Sequence, residues 1–274
     1  MTPTATTGVE RIAEAFASAR ADGRATALMP YLMAGYPDLE TSVRIGLRCA
    51  DSGGDLVELG VPFSDPLADG PVIQAAGTAA LRAGVRLHDA LAVAAEIAER
   101  IPVVLMCYTN PILVRGFERF ADMLVEHGVS GLIVPDLPFE EAPAALLACD
   151  ERGVALVPLV APTTPAPRLA MIGGRARGFL YTVGVTGTTG ERVALDAHLP
   201  DVLARARAST DVPVAVGFGI ATPEQAAAAA AAGADGVIVG SRLVRAAGEP
   251  GDPAQAVGAL VGAFAAALGG SPLG

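Results

Sequence analysis

Short runs of β-branched and other apolar residues alternate along this chain with alanine-rich segments of helical spacing. Most of the runs are apolar without interruption, as strands buried on both faces of a parallel sheet must be. The eight runs are Ala27–Ala34, Leu56–Gly60, Val103–Tyr108, Gly131–Asp136, Ala155–Ala161, Gly178–Val183, Val214–Gly219 and Gly236–Gly240. A barrel of eight strand–helix units takes about 250 residues. The pattern therefore predicts an α/β fold, a single (β/α)8 barrel of the TIM type.

Between the runs, apolar residues recur at the spacing of one helix face. Segments of this kind include Thr41–Asp51, Leu87–Arg100, Phe117–His127, Glu140–Arg152 and Pro223–Ala232. Several helices should end at a glycine, because glycine adopts the left-handed conformation that closes a helix. The glycines at such positions are Gly53–Gly54, Gly128, Gly153 and Gly233. An additional helix is predicted over Val9–Ala21, before the first strand, where it would plug the floor of the barrel.

A doubly wound open sheet is the main alternative architecture. Such a sheet usually has five or six strands and a glycine-rich first turn. The first turn here, Ala34-Gly35-Tyr36-Pro37, lacks the GxGxxG pattern. No linker or low-complexity segment divides the chain, so residues 1–274 are interpreted as one barrel domain.

Composition and charge exclude several classes of function. The net charge is −10 and no cluster of Lys and Arg is present, which argues against nucleic-acid binding. Cys49, Cys107 and Cys149 lie far apart, without the spacing of a zinc or redox site, and suit a reducing compartment. There is no signal-peptide pattern and no apolar stretch of 18 residues. We expect a cytoplasmic protein without a membrane span or a metal.

Glu58 is the first candidate for catalysis, because the active site of such a barrel lies at the carboxyl ends of the strands. Side chains alternate along a strand, so Val57 and Leu59 should face the helices and Glu58 the barrel interior. Burial disfavours the charged form and should raise the pKa of Glu58, which suits a proton carrier near neutral pH. The alternative is a structural glutamate paired with an arginine or with backbone amides. Asp65 and Asp69 follow on a loop, where an aspartate is usually solvated or a cap.

Glycine-bearing turns follow the last strands. Gly217-Phe218-Gly219 comes after the seventh run and Gly240-Ser241 after the eighth. Barrels often bind phosphate with these loops, because glycine lets backbone N–H groups approach the oxygens. The Thr186–Gly190 loop after the sixth run could complete the cradle. The alternative is that these glycines only make tight turns.

Other polar residues are weaker candidates. Tyr108 and Tyr181 could serve a catalytic carboxylate, although core packing is the commoner role of a buried tyrosine. Asp136 is either a residue of the barrel mouth or a helix cap. The three histidines lie at helix ends or in a loop, without metal spacing. The residues alone indicate an enzyme that uses carboxylate acid–base chemistry on a substrate bearing a phosphate.

The segment Glu58–Pro71, ELGVPFSDPLADGP, closely resembles the signature of the tryptophan synthase α-subunit family. Further matches follow in order along almost the whole chain. They are Pro30–Pro37, Met106–Pro111, Pro135–Pro138, Ala161–Pro165, Phe179–Tyr181, Gly217–Ile220 and Gly240-Ser241. The chain is therefore identified as a member of this family.

The resemblance implies cleavage of indole-3-glycerol phosphate to indole and glyceraldehyde 3-phosphate. Glu58 matches the family's acid–base, Asp69 the residue that hydrogen-bonds the indole N–H, and Tyr181 a residue that would orient Glu58. Four positions match the lining of the indole pocket: Tyr31, Met106, Ile133 and Ile73. Four others match the phosphate cradle: Gly190, Gly219, Gly240 and Ser241.

The resemblance also implies a partner. The α subunit itself uses no cofactor, and pyridoxal phosphate is expected only in the β subunit, with which it forms an α2β2 heterotetramer. Asp65 lies on the loop that matches the face meeting the β subunit.

One segment departs from the family pattern. The loop Gly184–Gly190 keeps Thr189 and Gly190, but no arginine precedes them. In the family this loop is a mobile lid that signals to the β subunit, so lid closure and coupling are in question more than the chemistry. This departure raises the alternative of a standalone lyase that releases free indole. Two alternatives of other kinds are a non-catalytic activating subunit and an unrelated phosphosugar isomerase or epimerase barrel. Retention of both Glu58 and Asp69 argues against the non-catalytic subunit, and the Glu58–Pro71 signature against the phosphosugar barrel.

Overall fold

The computed structural model describes residues 6–183, 198–217 and 219–269. Its described part contains one sheet of nine parallel strands in the order β5-β4-β3-β2-β1-β9-β8-β7-β6. The strands are β1 Ala27–Met33, β2 Val57–Gly60, β3 Val103–Met106, β4 Gly131–Ile133, β5 Ala155–Leu156, β6 Leu159–Val160, β7 Leu180–Val183, β8 Val214–Gly217 and β9 Gly236–Val239. All but the fifth of the eight predicted runs thus form one strand each.

The sheet closes at the fifth run, which the sequence predicted as one strand over Ala155–Ala161. The structure divides it into β5, which pairs with β4, and β6, which pairs with β7. Only Val157 and Pro158 separate the two, and the carbonyl oxygen of Pro158 accepts a hydrogen bond of 3.0 Å from the Tyr181 amide. Proline has no N–H for a strand ladder, which explains the interruption. We call Val157-Pro158 the seam of the barrel.

Helices surround the closed sheet. They are α1 Gly8–Ala21, α2 Leu39–Asp51, α3 Pro71–Arg82, α4 Leu87–Ala98, α5 Thr109–Leu113, α6 Phe117–Glu126, α7 Pro143–Asp150, α8 Ala166–Gly173, α9 Leu199–Arg207, α10 Pro223–Ala231, α11 Ser241–Ala247 and α12 Pro253–Leu268, with a 3-10 turn at Phe139–Glu141. The helix predicted over Glu140–Arg152 is shorter than expected, because Pro143 separates the 3-10 turn from α7. None of the described helices is long and apolar enough to cross a membrane.

The alternation of side chains along the strands creates two buried layers. Val57 and Leu59 pack against the surrounding helices, whereas Tyr31, Val104 and Met106 pack inside the barrel. The continuous apolar runs follow from this arrangement, because both faces of each strand exclude water.

The predicted N-terminal helix closes the floor of the barrel. Ile12 and Phe16 of α1 are buried in the interior layer, where the ring of Phe16 lies 6.0 Å from that of Phe179. A Cβ atom on the first residue of β4, Gly131, would lie 3.1 Å from Ile12. The first residue of β9, Gly236, is equally close-packed against Phe16. Glycine at these strand starts therefore lets α1 approach the sheet.

At every helix end where a glycine was predicted, a glycine adopts the conformation that this role requires. Gly53, Gly128, Gly153 and Gly233 have φ angles of 96°, 67°, 65° and 100°, which place all four in the left-handed region. Each one reverses the chain at the amino end of the barrel, before the next strand begins.

Candidate active site

A cavity of about 590 Å³ opens at the carboxyl ends of the strands. Ten of the residues singled out in the sequence line it together: Tyr31, Glu58, Asp69, Ile73, Met106, Asp136, Tyr181, Gly219, Gly240 and Ser241. Ile133 is fully buried in the interior layer but is not a lining residue, and Asp65 is exposed on the loop after β2. Gly190 and the rest of the Gly184–Gly190 loop lie outside the described residues.

Glu58 occupies the middle of β2, in register with Tyr31 of β1 and Val104 of β3. Its side chain is 1% exposed and lines the cavity, so it faces the barrel interior as the alternation predicted. Among the described residues, neither carboxylate oxygen has a hydrogen-bond partner. Within that part of the chain, no arginine or amide holds Glu58 as the structural alternative would require. Burial first, and the charge of Asp69 second, raise the pKa of Glu58 to about 8.

Asp69 ends the loop after β2, immediately before the start of α3. The loop fixes its backbone, since the Asp69 amide donates to the Pro66 carbonyl at 3.0 Å and the Gln74 side chain donates to the Asp69 carbonyl at 2.9 Å. Burial raises the pKa of its carboxyl to about 6, while a hydrogen bond with the Tyr108 hydroxyl acts in the opposite direction. Asp69 is thus the more acidic of two carboxyls that share one cavity.

Tyr108 is the residue whose role the sequence left open. Its hydroxyl accepts a hydrogen bond of 3.0 Å from the Ala68 amide and bonds to the Asp69 carboxyl, so it ties Asp69 to the neighbouring strand. Its ring stacks on Phe63 with centroids 5.0 Å apart and planes 20° apart. The only signal for this role in the sequence was the position of Tyr108 at the end of the third run, next to the loop after β2.

Tyr181 reaches the same cavity from β7, on the opposite side of the barrel from β2. Burial and the charges of Glu58 and Asp69 raise its pKa well above the ordinary value for tyrosine. It makes no hydrogen bond to Glu58, whose oxygens are without a partner among the described residues. An orienting role for Tyr181 would therefore act through packing and charge in this structure.

Two glycines make room for the tyrosines that flank Glu58. A Cβ atom on Gly60 would overlap the Tyr31 hydroxyl, and one on Gly217 would overlap the Tyr181 hydroxyl. The sequence pattern places Gly217 in a predicted phosphate-binding turn. The structure gives it a further reason to be glycine, which is space for an aromatic ring inside the barrel.

The glycine-bearing turns after β8 and β9 lie on the rim of the cavity. Gly219 has a φ of +83°, which favours glycine, and Gly240 precedes Ser241, the first residue of α11. All three residues line the same cavity as Glu58. The acid and this rim therefore border one continuous cavity.

Asp136 has both of the roles considered for it. It lines the cavity, and its Oδ1 accepts hydrogen bonds of 2.8 Å and 2.9 Å from the amide and hydroxyl of Thr109, at the start of α5.

Over the described part of the chain, no cluster of His, Cys, Asp and Glu could hold a metal ion. Burial raises the pKa of all three cysteines to about 12, so they are inert thiols.

Comparison with known proteins agrees with this geometry. The sequence model described as tryptophan synthase alpha chain matches residues 16–266. The chain belongs to the tryptophan synthase α-chain family. The α chain of Synechococcus elongatus is 50% identical over 242 residues, which cover 88% of this chain and 91% of the relative. That of Prochlorococcus marinus is 49% identical over 251 residues, covering 90% and 91% respectively.

Solved structures of the family share the fold. Tryptophan synthase from Mycobacterium tuberculosis superposes with a TM-score of 0.87 at 42% identity, covering 94% of this chain and 98% of that one. The α subunit from Legionella pneumophila gives a TM-score of 0.84 at 38% identity, covering 94% and 98%. The predicted TIM barrel and the family resemblance of the Glu58–Pro71 segment are confirmed. Membership of the α-chain family also disfavours the standalone lyase.

Proposed function

We propose that this chain is a carbon–carbon lyase, the α subunit of a tryptophan synthase, and acts in tryptophan biosynthesis. Its reaction is the retro-aldol cleavage of indole-3-glycerol phosphate to indole and glyceraldehyde 3-phosphate. The observation that carries the proposal is the buried acid Glu58, which has no hydrogen-bond partner in the described part of the chain and shares one cavity with the glycine-bearing rim.

Glu58 begins the reaction as a neutral acid. With a pKa of about 8 it holds its proton at neutral pH and can donate it to the indole ring carbon that bears the glycerol chain. The protonated ring then accepts the electron pair of the breaking carbon–carbon bond. As that bond breaks, the neighbouring glycerol hydroxyl becomes an aldehyde and returns its proton to Glu58. The residue therefore ends the cycle as it began.

Asp69 stabilises the charge that this protonation creates. Its pKa of about 6 leaves it anionic at neutral pH. A carboxylate beside the indole N–H attracts the positively charged ring more strongly than the neutral substrate, so it lowers the barrier. The hydrogen bond from Tyr108 keeps that carboxylate in place.

The remaining lining residues bind the two ends of the substrate. Tyr31, Ile73 and Met106 supply apolar surface for the indole, with Ile133 buried in the interior layer behind it. Gly219, Gly240 and Ser241, together with Gly190, are assigned to the phosphate. The acidic protein as a whole repels an anion, so this local rim has to attract the phosphate through backbone dipoles.

The proposal includes a β subunit as partner, in an α2β2 assembly in the cytoplasm. It assigns no cofactor to this chain, because protonation of the substrate's own indole ring supplies the electron sink. Pyridoxal phosphate is assigned to the partner. Asp65 lies exposed on the loop that also carries Asp69, and is assigned to the contact with the β subunit.

Indole release from indole-3-glycerol phosphate tests the proposal. We expect slow release by the isolated protein and a strong increase when a β subunit is added. Glu58→Gln and Asp69→Asn should each remove most of the turnover, about a hundredfold or more, because each loses a group that acts in the transition state.

The matched controls are Glu99→Gln and Asp51→Asn, which make the same changes at residues outside the cavity lining. They should keep wild-type rates, and circular dichroism should show that all four variants are folded. Wild-type turnover in either cavity variant contradicts the mechanism. Fast turnover by the isolated chain, unchanged by a β subunit, would instead indicate a standalone lyase.

A further inference from the structure

The cavity extends beyond the barrel interior. Its lining includes Leu156 and Val160, whose side chains belong to the layer between the sheet and the helices. It also includes Leu146 of α7 and Ile172 of α8, which stand outside the sheet. Part of the cavity is therefore a gap between α7 and α8, which the substrate-binding site described above does not use.

Apolar side chains of α7 and α8 face this gap from its two sides. Leu146 of α7 is 8% exposed and Ile172 of α8 is 3% exposed, and both line the cavity together with Leu156. These three side chains therefore wall an apolar space between the two helices and the sheet.

The gap meets the catalytic cavity where the barrel closes. Val157 and Leu159 face the interior layer, whereas Leu156 and Val160 face the helices, and all four line the same cavity. The strand is interrupted there at Pro158, which also lines the cavity. The space therefore continues from the barrel mouth, past the seam, into the helix layer.

An ion pair spans the gap at each end. Near the carboxyl ends of the strands, Arg168 of α8 lies 2.6 Å from Glu140. Beyond the opposite end of α8, Arg175 lies 4.0 Å from Asp150 of α7, and Arg177 shares the same carboxylate at 3.7 Å. Exposed ion pairs contribute only about 0–1 kcal/mol, so opening either of them costs little.

The charge at the Arg175 end favours an anion. Arg175 lines the cavity, its side chain is 55% exposed, and it shares Asp150 with a second arginine. The Arg175 pair is the longer of the two at 4.0 Å, so this guanidinium group is readily released to an anion in the gap. Arginine also binds carboxylate, phosphate and sulfonate-type oxygens with two parallel N–H groups.

We propose that the gap between α7 and α8 is a second ligand site, which takes a small apolar molecule carrying one anionic group. The apolar part lies between Leu146 and Ile172, and the anionic group lies on Arg175 in place of Asp150. The site does not depend on the proposed lyase activity, since none of these residues belongs to its machinery.

Binding of 8-anilino-1-naphthalenesulfonate to the full chain tests the site, with fluorescence as the readout. We expect one saturable site per chain. Leu146→Trp fills the gap and should weaken binding about tenfold or more, because the ligand loses its apolar surface. Leu147→Trp places the same ring on the neighbouring position of α7, which is 60% exposed, and should leave binding unchanged.

Two further variants separate the parts of the proposal. Arg175→Ala should weaken binding of the sulfonate but not of the neutral probe N-phenyl-1-naphthylamine. Ile172→Phe narrows the gap from the α8 side and should weaken binding of both probes, which keeps the test decisive if Leu146→Trp does not fold. Circular dichroism and thermal unfolding check each variant.

Met106→Trp provides the control for the catalytic end of the cavity, because it fills the barrel interior instead of the gap. It should leave binding of the sulfonate within about twofold of wild type. Loss of binding in Met106→Trp together with wild-type binding in Leu146→Trp and Ile172→Phe overturns the proposal, since the probe then occupies the barrel interior. Absence of any saturable binding overturns it as well.

Discussion

Glu58 and Asp69 have the same functional group but different surroundings, and the difference decides what each can do. Glu58 is fully enclosed and has no hydrogen-bond partner among the described residues, which favours its neutral form. Asp69 lies nearer the mouth and bonds to Tyr108, which favours its anion. Two carboxyls whose pKa values are separated by their environments can serve as acid and as anion in one site at one pH.

The pH dependence of kcat/KM should therefore be bell-shaped. Asp69 has to be ionised, so activity should fall as the pH drops through about 6. Glu58 has to carry its proton, so activity should fall as the pH rises through about 8. Steady-state indole release between pH 5 and pH 9 measures both limits.

Tyr108→Phe supplies the internal control for that profile. It removes the hydrogen bond that lowers the pKa of Asp69, so the acidic limb should move to higher pH while the alkaline limb stays in place. A profile in which neither limb moves would contradict the assigned role of Tyr108.

At the scale of single residues, the sequence predicted those features that depend on the alternation of side chains along one strand. The inward orientation of Glu58 followed from its apolar neighbours Val57 and Leu59. The bond between Tyr108 and Asp69 could not be predicted in this way, because it joins a strand end to a loop and depends on how the loop folds back. The space that Gly217 leaves for Tyr181 is also a relation between two strands, which periodicity within one strand does not contain.

Among the elements, the strands and the N-terminal helix were predictable because each follows one repeating pattern. The fifth run shows the limit of that approach. Its apolar residues are continuous, so the pattern predicted one strand, but Pro158 removes a ladder hydrogen bond and the pairing changes sides there. Pro143 shortens α7 for a related reason, since a proline is tolerated at the start of a helix but not within it.

The contribution of α1 to stability can be measured at Phe16. Phe16→Ala should destabilise the protein by about 3–5 kcal/mol, because it leaves a cavity in the interior layer where the ring meets Phe179. Urea unfolding followed by circular dichroism measures the change. Glu14→Ala on the exposed face of the same helix is the control and should change stability by less than about 0.5 kcal/mol. Equal effects of the two substitutions would show that α1 does not support the floor.

For the molecule as a whole, the number and order of the strand–helix units predicted closure into a barrel. Short right-handed connections between parallel strands leave few other arrangements. The gap between α7 and α8 was not predictable, because it depends on how two separate helices lie over the sheet, which the pattern within either helix does not contain. The same holds for the approach of Glu58 to the rim formed by Gly219 and Gly240, which only ring closure brings together.

Assembly with a β subunit belongs to this scale, and Asp65 tests it. Asp65→Lys should reduce the stimulation of indole release by a β subunit about tenfold while leaving the basal rate of the isolated chain within about twofold of wild type, because reversing a charge at an interface weakens association. The readout is the rate of indole release as a function of β-subunit concentration.

Glu99→Lys is the matched control, since Glu99 is exposed at the end of α4, at the opposite end of the barrel. It should leave the stimulation intact. An Asp65→Lys variant that responds to the β subunit like the wild type would remove this residue from the contact.

The pairing of β1 with β9 has a consequence for how the protein is made. Ala27 of β1 is in register with Gly236, near the other end of the chain. At a synthesis rate of 5–20 residues per second, that partner leaves the ribosome on the order of ten seconds or more after β1. Throughout that interval the nascent chain exposes the edge of β1 that later pairs with β9. Pro30 does not protect this edge: the Ala27 amide donates towards β9, to the Asp235 carbonyl, whereas the Leu28 carbonyl accepts from Asp55 on the β2 side, so Pro30, two residues after Leu28, also faces β2.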